Sequence, residues 1–351
     1  MVMTSIEQTP YWKTLLPIIE SGAMQAAIDG TYRYPYRINI YPGISCMFSC
    51  LFCGRNYDAV VKNSMNIFSQ IIEQDDGKDP YRINISGGLE PLTSPYINII
   101  CKDLANKGYK ARMITNGFLL NNKMLTKSPY INSLDHIRVS LYGLDEKEYL
   151  TTTKHKKGWQ VVKDNLTEYN KRDDKTKLYL NYVLLPNNVG QLDRIIEYIE
   201  EVGGADNLSL REDFTFQYEI GERNKMQDIL LAFDEKVKKV AIPVDYGYAL
   251  TDAMNGNTTT LMKVTHHEVP IKQSPQVKVC LDPNGNLYSH MEAGFVDRPG
   301  ALRHSLGNVT GSSIEAQLMK MKAIDPLDGD TQYMDAYNHL VYKYISQNLP
   351  S

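Results

Sequence analysis

Apolar and polar positions alternate along several short stretches of the chain. Arg37-Ile38-Asn39-Ile40-Tyr41 has period two, as a strand with one buried face requires. Tyr81-Arg82-Ile83-Asn84-Ile85-Ser86 does the same and runs into Gly87-Gly88. Lys110–Thr115, closed by Asn116-Gly117, and His136–Leu141 predict a third and fourth strand. Leu178–Leu185, stopped by Pro186, predicts a fifth, and Asn207–Arg211 a sixth. Between them the apolar spacing turns helical at about 95–107, 158–169 and 189–202, the last stopped by Gly203-Gly204. Residues 1 to about 32 read as a helical preamble. Past residue 240 the pattern changes. Val277–Leu281, the turn formers Asp282-Pro283-Asn284-Gly285-Asn286, and Leu287–His290 predict a β-hairpin, with a helix near Ser313–Met321.

Six strands alternating with helices imply a parallel sheet with right-handed crossovers. A closed eight-stranded barrel takes about 250 residues. This repeat occupies roughly 35–240, which suits an incomplete barrel or an open sheet. In both forms chemistry gathers at the carboxyl ends of the strands. There stand the cysteine-containing segment after the first strand, Gly87-Gly88, Asn116, Tyr142 and Glu212. The expected organisation is a helical segment over 1–34, a core over 35–240 and an extension over 241–351.

Composition narrows the class. The chain has 351 residues, 42% of them hydrophobic, enough for one large domain or one large and one small. A net charge of −3 with the two signs interspersed argues against nucleic acid as a partner. No apolar run is long enough to span a membrane, and no basic start followed by an apolar core marks a secretory signal. Five cysteines, three of them within eight residues, do not make a disulfide framework and predict a reducing, cytoplasmic setting.

Cys46-Met47-Phe48-Ser49-Cys50-Leu51-Phe52-Cys53 spaces its thiols CxxxCxxC. Iron–sulfur clusters are normally held by four thiolates, so three with no fourth nearby leave one iron open, as a catalytic site requires. The rival is a zinc site, which wants a second pair of ligands that the sequence does not offer.

This triplet after a first strand resembles the signature of the radical S-adenosylmethionine (SAM) superfamily. Ser86-Gly87-Gly88-Leu89-Glu90-Pro91, one strand later, resembles that family's glycine-rich motif, and glycine lets backbone approach a ligand closely. Thr115-Asn116-Gly117, Arg138–Gly143 and Leu208–Arg211 resemble the family's later strand ends. The resemblance covers roughly 35–220. It implies a partial (β/α)6 TIM-like barrel with a small α+β C-terminal extension. It implies one [4Fe-4S] cluster on Cys46, Cys50 and Cys53, whose open iron binds SAM. Reductive cleavage then yields a 5′-deoxyadenosyl radical that removes hydrogen from the substrate, with a flavodoxin or ferredoxin-type protein as electron donor. Carried over by position, Phe52 contacts adenine, Gly87, Gly88 and Glu90 lie near the methionine end, Asn116 lines the cofactor site and Ser140 meets the ribose. Glu90 is alternatively a buried structural carboxylate. Arg211 either reaches a carboxylate or closes an ion pair in the sheet.

The hairpin around Cys280, with Leu306-Gly307-Asn308-Val309, resembles the SPASM or twitch extension of such enzymes. His290 stands where a cysteine is usual, and only Cys101 and Cys280 lie outside the triplet. Two thiols are too few for an ordinary auxiliary cluster, so none is expected. Cys280 is a buried small hydrophobe, a hydrogen-atom donor or a residual metal ligand. His290 is a packed histidine or a substrate acid/base. Tyr142 is the tyrosine expected to face substrate. Glu212 and Asp213 bind substrate or cap a helix. The expected substrate is a small polar metabolite, such as a sugar, nucleoside or amino acid. The alternatives are a peptide-modifying radical SAM enzyme and a non-catalytic iron–sulfur or zinc protein.

Overall fold

The computed structural model describes residues 12–55, 61, 66–185, 188–212, 220–240, 242–256, 277–295, 298–320 and 333–349. In chain order the first elements are α1 (Trp12–Glu20), α2 (Ala23–Asp29), β1 (Arg37–Ile40), α3 (Ile67–Gln74), β2 (Ile83–Ile85) and α4 (Ile97–Asn106). There follow β3 (Arg112–Thr115), α5 (Asn122–Lys127), β4 (His136–Leu141), α6 (Glu146–Thr153), α7 (Gly158–Asn170), β5 (Lys177–Leu184), α8 (Arg194–Glu201) and β6 (Asn207–Glu212). The rest are α9 (Ile220–Val237), β7 (Val244–Asp245), α10 (Gly247–Met254), β8 (Lys278–Leu281), β9 (Asn286–Tyr288), β10 (Ser305–Asn308), α11 (Ile314–Met319) and α12 (Ala336–Asn348). Strands alternate with helices and are mostly parallel. This is the α/β class, with the repeat expected of a partial TIM-like barrel. No described helix is long and apolar enough to cross a membrane.

The chain forms two compact units. One comprises Met1–Ser45, Gly54–Ala111 and Met262–Ser351; the other comprises Cys46–Cys53 and Arg112–Leu261. In the first, β8, β1 and β2 run parallel, with Ile40 opposite both Ile85 and Leu281. Their apolar positions Ile38, Ile40, Ile83, Ile85, Val279 and Leu281 have no exposed surface. The expected hairpin is present: β9 turns back antiparallel to β8, and β10 pairs antiparallel with β9. Asp282 Oδ1 accepts from the backbone N–H groups of Asn284 and Asn286, both at 2.8 Å, and so closes the turn. The hairpin is no free-standing appendage, because β8 continues the parallel sheet from β1.

In the second unit β3, β4, β5, β6 and β7 are all parallel to their neighbours. Ile137, Val139 and Leu141 of β4 and Leu178, Leu180, Tyr182 and Leu184 of β5 are completely buried. The residues between them, Arg138, Ser140, Tyr179, Asn181 and Val183, are only half-buried. Parallel strands covered on both faces read as continuous apolar runs. The alternation here means that one face of this sheet is apolar and closed, and the other polar and partly open.

Most expected elements stand within a residue or two. The helix expected over 189–202 is instead a single 3-10 turn at Val189–Gln191 followed by α8. The helices α3, α5, α6, α9, α10 and α12 and the strands β7 and β10 add to the elements expected.

Candidate functional site

The cysteine loop, residues 46–53, packs on the second unit through one side chain and two backbone bonds. The Phe48 ring is 1% exposed. It meets Phe118 at 5.6 Å, Tyr142 at 5.7 Å, Tyr149 at 5.8 Å and His155 at 5.5 Å between ring centres. Ser49 N–H donates to the Thr153 carbonyl at 2.9 Å, and Leu51 N–H to that of Thr152 at 3.0 Å. Those carbonyls end α6 and have no partner within the helix, so the loop caps it. Cys53 N–H donates to the Cys50 carbonyl at 3.1 Å, which tightens the turn between two of the thiols. Cys50 is buried, while Cys46 and Cys53 are half-buried.

The carboxyl ends of β3 and β4 meet this loop. Asn116 Nδ2 donates to Met47 Sδ at 3.1 Å and lies 3.6 Å from Cys46 Sγ. Asn116 Oδ1 accepts from Phe118 N–H at 3.0 Å, which holds the amide in place. Tyr142 stacks on Phe52 with ring centres 5.9 Å apart. Burial raises the Tyr142 phenol well above its usual range, and the charges of Cys50, Tyr149, Cys46 and Cys53 add to it. Among the described residues no three His, Cys, Asp or Glu side chains converge closely enough to ligate one metal ion. A single zinc would need every ligand within about 2.3 Å of one atom. A four-iron cluster takes each thiolate on a different iron and asks for a wider set. Three thiolates are the ligand set that a four-iron cluster with one open iron would use.

In the first unit, Ser86 N–H continues the β1–β2 ladder onto the Ile40 carbonyl at 2.9 Å. Gly87 and Gly88 then pass beside the Tyr41 ring; a Cβ on Gly87 would sit 3.3 Å from it. Gly88 has φ +76°, a conformation that favours glycine. Glu90 is 3% exposed, and its Oε1 accepts from Leu92 N–H at 3.1 Å. It caps the Pro91–Thr93 turn, which is the structural role. Two residues here went unread in the sequence. Thr93 Oγ1 accepts from the N–H groups of Ile44 at 3.0 Å and Ser45 at 3.2 Å. Gly43 passes so close that a Cβ would lie 2.6 Å from the Glu90 carbonyl oxygen. Together they pin the chain entering the cysteine loop to the turn after Gly87-Gly88. Phe48 was also unread; an apolar ring between two ligating positions was its signal.

Ser140 is half-buried on the polar face of β4, in register with Asn181. Arg211 closes an ion pair with Asp245 at 2.5 Å and donates to the Asp245 carbonyl at 2.8 Å. That is its in-sheet role. Glu212 ends β6; its side chain and Asp213 lie outside the described residues. Cys280 is completely buried, with Gly294 so near that a Cβ there would be 2.7 Å from the sulfur. Its thiol lies 3.4 Å from the His290 carbonyl oxygen, and burial pushes its pKa well up. His290 is also completely buried, 4.3 Å from the His304 ring and 5.7 Å from Tyr342. Both have the surroundings of packed core residues, and neither shows surface to a substrate.

Residues 40–199 match the family model of the Radical SAM superfamily. A dTDP-4-amino-4,6-dideoxy-D-glucose ammonia-lyase of Streptomyces venezuelae is 31% identical over 98% of this chain and 77% of its own length. A probable GTP 3′,8-cyclase of Sulfurisphaera tokodaii is 30% identical over 56% of this chain and 63% of its own length. Streptococcus suis SuiB bound to S-adenosylmethionine matches 87% of this chain and 68% of its own, at TM-score 0.58 and 16% identity. The anSMEcpe structure with AdoMet and a peptide matches 89% of this chain and 96% of its own, at TM-score 0.56 and 13% identity. These two structural likenesses are of fold.

Proposed function

We propose a substrate and a reaction for this chain from one premise: it belongs to the radical SAM superfamily and is a radical SAM enzyme. The reading supported best is removal of hydrogen from a nucleotide-linked amino sugar, with loss of ammonia. The observation that carries it is identity of 31% across nearly the whole chain to a lyase named for such a sugar.

In this reading Cys46, Cys50 and Cys53 hold a [4Fe-4S] cluster, and Gly87, Gly88, Phe52, Asn116 and Ser140 bind SAM. When bound, the cluster supplies the electron that splits SAM into methionine and a 5′-deoxyadenosyl radical. The chain's own residues place and shield. Phe48 fixes the loop, Asn116 stands beside Cys46, and the Phe52–Tyr142 stack ties the loop to the residue that follows β4. Glu90 keeps the glycine turn in shape. Tyr142 stays protonated, so it offers substrate an O–H and no charge. The division into a core over 35–240 and a SPASM- or twitch-like tail over 241–351 belongs to the same proposal. No auxiliary cluster is expected in the tail, because only Cys101 and Cys280 lie outside the triplet and an ordinary cluster takes four thiolates. Electrons come from a flavodoxin or ferredoxin-type donor.

The test is anaerobic turnover of the reconstituted enzyme with SAM, a reductant and dTDP-4-amino-4,6-dideoxyglucose. 5′-Deoxyadenosine and ammonia should form together. Deoxyadenosine without ammonia removes the deamination; neither product removes the substrate class. Peptide modification is the second reading, favoured only by the fold shared with SuiB.

A further inference from the structure

We infer that Arg138 anchors a phosphate of the substrate on the half-open polar face of the second unit's sheet. The inference rests on the nucleotide-sugar reading and names the residue that would recognise the nucleotide's diphosphate.

Register places the group. Arg138 on β4 lies between Ile114 of β3 and Tyr179 of β5. Side chains in register on parallel neighbours share a face. Arg112, Ser140, Asn181 and Arg211 therefore lie on this face too. The groups acting on Arg138 are the cations Arg112 and Arg211, which oppose its charge, and Asp245 and Tyr179, which favour it. Arg211 already holds Asp245. Arg138 forms no ion pair among the described residues, and its Nε is buried without an acceptor. Burial and the two neighbouring cations lower its pKa to about 10, so it stays charged at neutral pH. A half-buried guanidinium with no ion-pair partner is partly desolvated without compensation. It makes sense where a ligand brings the anion, and its planar fork suits a phosphate.

The level along the strand separates this anion from the carboxylate of SAM. Arg138 precedes Ser140 by two residues, and its partner Ile114 precedes Asn116 by two. Two residues of strand span about 7 Å. Arg138 thus sits that far toward the amino ends from Asn116, which touches the cysteine loop.

Calorimetric titration of the reconstituted enzyme with inorganic pyrophosphate, thymidine diphosphate and SAM tests this. Arg138→Met should weaken both diphosphates by about 10- to 100-fold, the worth of one or two charge-assisted hydrogen bonds. It should leave SAM affinity unchanged and should not lower the thermal midpoint in anion-free buffer. Arg138→Lys, which keeps charge without the fork, should fall between. Unchanged diphosphate affinity, no diphosphate binding by the parent enzyme, an equal loss for SAM, or a lower midpoint would each overturn the assignment. The two proposals fail separately. If Arg138→Met deaminates the amino sugar with unaltered KM, the reaction stands and this anchor does not. If Arg138 binds diphosphate and no amino sugar is deaminated, the anchor stands and the reaction does not.

Discussion

Truncating Phe48 to alanine should release the cysteine loop. The ring is 1% exposed and meets four aromatic rings at 5.5 to 5.8 Å. Removing a buried phenylalanine costs about 3–5 kcal/mol, and packing against aromatic rings puts this site toward the upper end. The two backbone bonds from the loop to Thr152 and Thr153 contribute about 1 kcal/mol each. The side chain therefore holds the loop more strongly than its hydrogen bonds do together. Against a total stability of about 5–15 kcal/mol, Phe48→Ala leaves a marginal protein or one whose loop detaches. Phe48→Leu, which keeps most of the volume, should lose about 1 kcal/mol. Urea unfolding of the metal-free chain measures the loss, and iron per chain after anaerobic reconstitution measures what the loop still holds. A Phe48→Ala protein within 1 kcal/mol of the parent and with full iron would refute the reasoning.

Three further outcomes follow from the same geometry. Gly43→Ala should cost about 1–3 kcal/mol and weaken SAM binding in calorimetry, because its Cβ would meet backbone at 2.6 to 2.8 Å that cannot turn aside; parental affinity would contradict this. Cys50→Ala should lose the visible iron–sulfur absorbance and 5′-deoxyadenosine formation together, and retention of either would argue against the three-thiolate cluster. Burial raises the Cys101 thiol from its ordinary 9.0 to about 12 and Cys280 also rises well above that ordinary value. At pH 8 iodoacetamide should label Cys46 and Cys53 of the folded, metal-free chain and spare these two until urea is added, as mass spectrometry would read. The folded state keeps the Cys101 proton after the unfolded chain has released it, so this stabilisation is complete below about pH 9 and fades as pH rises toward 12.

The features that were legible are those in which one residue answers to one neighbour. Period-two alternation placed β1 to β6; in β1, β3, β4 and β5 it follows the alternation of buried and half-buried positions. Helix α6 escaped, because Glu146-Lys147-Glu148 and its three threonines give it little apolar stripe; of its residues Tyr149, Thr152 and Thr153 are buried. Its start was nonetheless written locally: Asp145 accepts from Glu148 N–H at 2.8 Å, an N-cap with Glu at the third helical position. Helix α12 has the same kind of start in Asp335 and Asn338. Phe48, Gly43 and Thr93 were illegible for another reason. Each acts on residues distant in sequence; the place of Phe48 between two ligating cysteines marks it, but nothing near any of the three names its partner.

The alternation in β4 and β5 also carries information about function. A parallel sheet sealed by helices on both sides would have shown unbroken apolar runs and no site. Here Ile137, Val139 and Leu141 go to the closed face, and Arg138 and Ser140 to the open one. The same polar positions that made the strands recognisable therefore mark where the sheet meets something polar. Ser140 stands one residue from the carboxyl end of β4, and Arg138 lies one pleat repeat below it. Arg138, unlike Arg211, has no carboxylate to pair with among the described residues. Asp245 on this face already pairs with Arg211, and the proposed diphosphate would bring Arg138 an anion of its own.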